Sequence, residues 1–258
     1  MFMSTKQRLR LQKGFTLIEL AVVLVIVGVL LSGFIGTLST RIENTRKSET
    51  IEELNEIKQA MIAYAFVNGR LPCPDCAVAG ADCAAGNVAD GRADYNIALS
   101  RCSENDGAGN VPWVTLGVGR SDAWGTRYRY AVQNAYADET IPFTLNSAAG
   151  SATIEEPDFV ADVTGATPHD LATSVVAIIF SHGKNGLGGT GENNVAKGAI
   201  PAANIDELNN IDDNATYYVR PETAAGAAIA GGEFDDFVIW ISEYELKAKM
   251  VEAGKLPL

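Results

Sequence analysis

Residues 15–38 read FTLIELAVVLVIVGVLLSGFIGTL, an apolar run holding one ionisable side chain, Glu19. As a helix rising about 1.5 Å per residue, the run is roughly 36 Å long, enough to cross a bilayer. Beyond it Ile42, Ile51, Leu54, Ile57, Met61, Ile62 and Ala65 recur at three- and four-residue steps. Glu43, Arg46, Lys47, Glu49, Glu52, Glu53 and Lys58 fill the other positions. That spacing predicts one continuous helix, apolar all round in its first half and carrying a single apolar stripe in its second. Asn68-Gly69 supplies a stop, with Pro72 just beyond. Gly28, Gly33 and Gly36 either allow close helix approach or are ordinary glycines of a membrane helix.

Residues 70–112 lose this periodicity and read as a Gly-, Ala- and Asp-rich loop. From residue 113 short β-type runs follow one another: 113–118, 126–133, 141–145, 174–181, 217–220 and 234–242, separated by turns containing Gly, Pro and Asn. They predict an antiparallel sheet lying on the helix stripe. Residues 243–253 read as a short amphipathic helix ended by Gly254, with Leu246, Met250 and Val251 on one face. The fold class expected is therefore α+β, a long N-terminal helix packed on an antiparallel β-sheet head.

Charge divides the chain in the same place as hydropathy. Lys6, Arg8, Arg10 and Lys13 make the first 14 residues +4, while the whole chain of 258 residues carries −12. Basic residues before an apolar span stay in the cytoplasm, so the bulk of the chain is expected on the far side, in the periplasm. An acidic head offers phosphates no basic face, and no nucleic-acid partner is expected. Glu19 stands apart, because an ionised carboxylate near mid-membrane costs on the order of 3 kcal/mol and calls for a partner.

The residues around Glu19, Lys13-Gly14-Phe15-Thr16-Leu17-Ile18-Glu19-Leu20, resemble the prepilin processing signature of type IV pilins and type II secretion pseudopilins. The resemblance implies cleavage by prepilin peptidase between Gly14 and Phe15, N-methylation of Phe15, and pairing of Glu19 with the N-terminal amine of a neighbouring subunit. It further implies other pilin or pseudopilin subunits and an inner-membrane assembly platform as partners. The domain plan that follows is a cleaved leader at 1–14, a transmembrane and polymerisation helix at 15–38, and its amphipathic continuation at 39–69. A cysteine loop at 70–112 and a β-sheet head with a short C-terminal helix at 113–258 complete it.

Cys73, Cys76, Cys83 and Cys102 all fall in the loop, spaced C-x2-C-x6-C-x18-C. Export to an oxidising compartment favours disulfides, in any of three connectivities. Zinc would use four thiolates, but the second pair is not another C-x2-C; a redox-active Cys73-Pro74-Asp75-Cys76 lacks the surrounding βαβ pattern.

Asp122-Ala123-Trp124-Gly125-Thr126-Arg127-Tyr128 resembles the D-P-W-G-x-P-Y turn of major pseudopilins, departing from it at Ala123 and Arg127. It reads as a tight turn with Gly125 in an unusual backbone conformation. Residues 181–189 and 235–240 resemble the two ends of the loop that binds calcium in that family. Asn185, Glu192, Asp235 and Asp236 would supply oxygen ligands for a structural calcium, although Lys184 and about forty inserted residues interrupt the match. Ser181, His182 and Asp235 are the residue types of a hydrolytic triad, but no nucleophile elbow accompanies them. Two functions are carried forward. One is a non-enzymatic filament subunit, and the size of the head favours a sparsely incorporated pseudopilin or minor pilin. The other is a signal-anchored periplasmic module that binds a metal or ligand and never polymerises.

Overall fold

The computed structural model describes residues 16–77, 83, 88–96, 98, 100–103, 108–157, 169–212, 214–226, 229 and 231–256, without the side chains of 31–37 and 108. Helix α1 runs from Leu17 to Asn68 and ends at Gly69, whose φ of +70° closes the last turn. Three short strands follow, β1 (Tyr95–Asn96), β2 (Arg101–Cys102) and β3 (Ala108–Asn110), and then helix α2 (Trp113–Leu116). Next come β4 (Arg129–Val132), α3 (Asn134–Ala137), β5 (Ala152–Glu156) and the long β6 (His169–Ser181). Helix α4 (Ile205–Asn209), β7 (Thr216–Tyr218), β8 (Phe237–Ser242) and α5 (Glu243–Glu252) complete the order.

The chain divides into two compact units, Met1–Thr45 and Arg46–Leu258. In the first, the apolar side chains face outward on every side: Leu17 is 90% exposed, Ile18 72%, Leu24 66% and Leu30 58%. Among the described residues no helix is long and apolar enough to cross a membrane. Phe15 and the side chains of 31–37, which belong to the predicted span, lie outside that description.

In the second unit Leu54, Ile57, Met61, Ile62 and Ala65 are buried, the stripe that the three- and four-residue steps predict. Ile51, assigned to the same stripe, is 44% exposed, and Ile42 in the first unit is 46% exposed. The stripe shares one core with Tyr128 and Tyr130 around β4, Val176 and Ile179 of β6, Ile241 of β8, and Leu246 and Met250 of α5. Polar side chains reinforce the contact. Tyr128 donates to Glu53 at 2.6 Å, and Lys58 pairs with Glu245 at 2.8 Å.

The main sheet runs β3-β4-β6-β5-β7, with β8 on the other side of β6. Val175 pairs with both Ala152 and Ser242, so β4 and β5 lie end to end along one side of β6 and β8 along the other. A register shift between Val175 and Ala177 turns Val176 and Ala177 to the helix face, while Val175, Ile178 and Phe180 enter a second core with Ile154, Tyr217 and Val238. Burial on both faces explains why β6 reads as an unbroken apolar run rather than an alternation.

Three strand expectations are corrected. Residues 113–116 are helix α2, because Pro112 pre-sets the first turn and Gly117, at φ +70°, ends it. Residues 141–145 pair with no strand; Asp138 captures the amides of Thr140 (2.7 Å) and Ile141 (3.2 Å), and Pro142 has none to offer a ladder. The sheet is mixed rather than antiparallel, since β5 and β7 pair in parallel through Ile154 and Tyr217.

Candidate functional site

Three places hold the residues singled out by the sequence. The first is the start of α1. Thr16 and Glu19 form a reciprocal cap: the Thr16 amide and hydroxyl donate to the Glu19 carboxylate at 2.9 and 2.8 Å, and the Glu19 amide donates back to the Thr16 hydroxyl at 3.3 Å. This is the Thr-x-x-Glu pattern that satisfies the orphan amides of a helix start. Gly14 and Phe15 lie outside the described residues.

The second place is the cysteine loop. Cys73 is bonded to Cys102 and Cys76 to Cys83, which leaves no free cysteine, so neither a four-thiolate zinc site nor a Cys73/Cys76 redox pair is formed. Beside them Asp75, fully buried, accepts from the Gly91 amide at 3.0 Å and from the Asn110 side chain at 3.2 Å. Burial pushes its carboxyl up to about 7.

The third place joins the 121–127 turn, the segment after β6 and the start of β8. Asp122, absent from the sequence expectations as a functional residue, organises the turn. Its carboxylate accepts from the amides of Trp124 (3.0 Å) and Thr126 (2.9 Å) and from the Ser181 hydroxyl at 2.6 Å. Gly125 takes a φ of +74°, as the tight turn requires, and Trp124 stacks on Phe237 with ring centres 6.0 Å apart. An Asp two residues before one amide and four before another is the sequence signal of such a turn. Arg127, a departure from the pseudopilin pattern, lies over the Trp113 ring at 4.3 Å and donates to the carbonyls of Ala89, Gly191 and Glu192. It ties the cysteine region to the 190s.

Of the four calcium candidates, the structure gathers three. Asn185 donates its amide to Asp235 (2.7 Å) and its side chain to Glu207 (3.0 Å). Glu207, Asp235 and Asp236 then form a carboxylate cluster whose ligand atoms all lie within 4.8 Å of one another. Glu192 is elsewhere, bonded to Arg120 at 3.1 Å and to Ser121. The residue that takes its place, Glu207, comes from α4 inside the inserted segment, where no family pattern pointed to it. Burial raises Asp235 to about 7, Asp236 well above the usual carboxylate range, and Glu207 in the same direction. The Asp235 Oδ1 atom is buried with no hydrogen-bond partner.

The triad types do not assemble. Ser181 donates to Asp122, both ring nitrogens of the fully buried His182 lack a partner, and Asp235 accepts from Asn185. Burial and the nearby Arg129 charge push His182 down to about 3, which keeps the ring neutral.

No curated protein and no solved structure matches the chain. A family match is found at its start: residues 9–35 match the family described as the prokaryotic N-terminal methylation motif. The matched stretch contains Gly14, Phe15 and Glu19 and ends before the head. The chain thus bears the cleavage and methylation motif of a pilin-like substrate of prepilin peptidase.

Proposed function

We propose that the protein is a structural filament subunit, a pseudopilin or minor pilin, held in the bacterial inner membrane by the first half of α1 until it is extracted into the filament. The observation that carries this reading is the methylation motif at 9–35 followed by apolar side chains exposed on all sides of α1 from Leu17 to Leu30. Such a surface is stable in lipid or against other helices, and costly in water. The leader keeps Lys6, Arg8, Arg10 and Lys13 in the cytoplasm, and the head, with its two disulfides, lies in the periplasm. Cleavage after Gly14 makes Phe15 the new N-terminus, and Glu19 receives that amine from a neighbouring subunit. Co-expression with prepilin peptidase is expected to shorten the chain by its leader, seen as a mobility shift, and Gly14→Asp to block the shift. A wild-type chain that stays full length contradicts the reading.

The carboxylate cluster supports a second role for the head, binding a structural calcium. Three carboxylates with an unpartnered buried oxygen suit a hard cation, and Glu207, Asp235 and Asp236 would hold it, with Asn185 orienting two of them. The cation would relieve the repulsion among buried acids and pin α4 to the start of β8. Calcium well above its dissociation constant is expected to raise Tm by about 5 °C, reversibly with EDTA. The gain should vanish in Glu207→Gln, and no shift in the wild type would rule the site out.

A further inference from the structure

The segment from Gly186 to Gly198 folds back on itself as a hairpin. Thr190 pairs with Ala196, and its base is closed by the Gly188 amide donating to the Gly198 carbonyl at 2.8 Å. Its ends are glycines in conformations that other residues avoid, with φ of +63° at Gly186, +75° at Gly188 and +142° at Gly198. Side chains 192–198 are exposed, so apolar burial contributes little there. Polar contacts hold it down instead. Thr190 accepts from the Arg127 amide at 2.8 Å, and Gly125 accepts from the Glu192 amide at 3.2 Å. Lys197 Nζ donates to the Trp124 carbonyl at 3.2 Å, and Glu192 latches onto Arg120 and Ser121. Segments of this kind, few in apolar contacts, sit at the low end of local stability.

Beneath the hairpin lies His182, with no exposure and no partner for either ring nitrogen, beside the equally buried and unpartnered hydroxyl of Thr126. A Cβ at Gly189 would come within 2.7 Å of the imidazole, so the hairpin backbone rests on the ring. The edge of the ring meets Phe180 at 5.1 Å. Burial and the Arg129 charge outweigh the Leu187 backbone contact that favours an imidazolium, so the charged ring is disfavoured in this place.

We propose that residues 186–198 are an acid-released flap, with His182 as its floor and the Glu192 contact to Arg120 and Ser121 as its latch. Acidification lifts the flap and exposes Trp124, Arg127 and His182 while the sheet stays folded. This goes beyond the filament role and does not depend on it.

The two titrations act in the same direction. His182 is held below its ordinary 6.5 by burial and by Arg129 of β4, so closure is weakened as pH falls through the window from 6.5 to about 3. Glu192 is held below 4.5 by the Ser121 hydroxyl and Arg120, so the latch adds its own loss below that value. Arg120, Arg127 and Lys197 also contact the flap or belong to it. Asp122 of the turn below bonds to Trp124, Thr126 and Ser181 and faces the flap through the charge of Lys197. Asp235 lies against Gly183, before the flap begins. One proton taken up on opening makes the opening constant rise about tenfold per pH unit below 6.5, hence about 100-fold by pH 4.5.

Hydrogen exchange of the full chain in detergent, corrected for intrinsic rates, tests this between pH 7.5 and 4.5. Amides of 188–198 should lose protection about tenfold per unit below 6.5 while β6 and β8 keep theirs. His182→Leu should flatten that response, and Glu192→Gln should loosen the flap at neutral pH. NMR titration of the His182 ring gives a reading that needs no variant, expected well below 6.5. Flap protection that stays level with pH, that falls only with the whole head, or that falls equally in His182→Leu overturns the proposal. So does a His182 ring that titrates near 6.5.

Discussion

Glu19→Ala is expected to leave the chain processed and methylated, yet reduce its incorporation into filaments about 100-fold. The carboxylate has two tasks. Within the subunit it closes the Thr16–Glu19 cap, at 2.8 and 2.9 Å, whose loss costs about 1 kcal/mol of helix start. Between subunits it is the partner proposed for the Phe15 amine. Removing one member of an ion pair in a low-dielectric bundle leaves the other charge uncompensated, at about 3 kcal/mol, which corresponds to the 100-fold figure. Glu19→Gln separates the two tasks, because a glutamine still caps the helix but carries no charge. Quantitative immunodetection of the sheared filament fraction reads the outcome. If Glu19→Ala assembles like the wild type, the proposed pairing of Glu19 with the Phe15 amine is not what drives assembly.

The second large effect is in the head. Replacing Cys73 and Cys102 together by serine is expected to destabilise it by about 3 to 4 kcal/mol, from the closure of a loop with 29 residues of separation. Both sulfurs are fully buried in the core shared by the α1 stripe, so two hydroxyls would also be left in an apolar setting. For a head of this size Tm should fall by about 10 °C. The Cys76–Cys83 pair, only 7 residues apart, closes a shorter loop, and its removal should cost about 1 kcal/mol less. Thermal melts of the two double-serine variants in parallel check the order. A larger loss from the shorter loop would contradict it.

Local pattern carried the long helix and the start of the chain. The stripe Leu54 to Ala65 was legible because helix period and burial coincide there, and Ile51 was misassigned because periodicity alone does not reveal where the sheet stops covering the helix. Residues 113–116 and 141–145 have strand-like composition, but the backbone partners of Trp113 and Ile141 are set by Pro112, Gly117, Asp138 and Pro142. The disulfide pairing was beyond reach for a different reason. It depends on where the loop places Cys102 relative to the end of α1, and spacing does not encode that. Glu207 was missed because its nearness to Asp235 arises only when the inserted segment folds back over the start of β8. The buried roles of Asp122 and His182 likewise come from tertiary packing around one turn and one flap.

The central claim concerns the first residue of the mature chain. Intact-mass and N-terminal peptide mass spectrometry of protein recovered from the membrane of a host carrying prepilin peptidase tests it most directly. N-methylated Phe15, with residues 1–14 gone, is the expected result. A chain that still begins at Met1 would contradict it and leave the anchored binding module as the better reading.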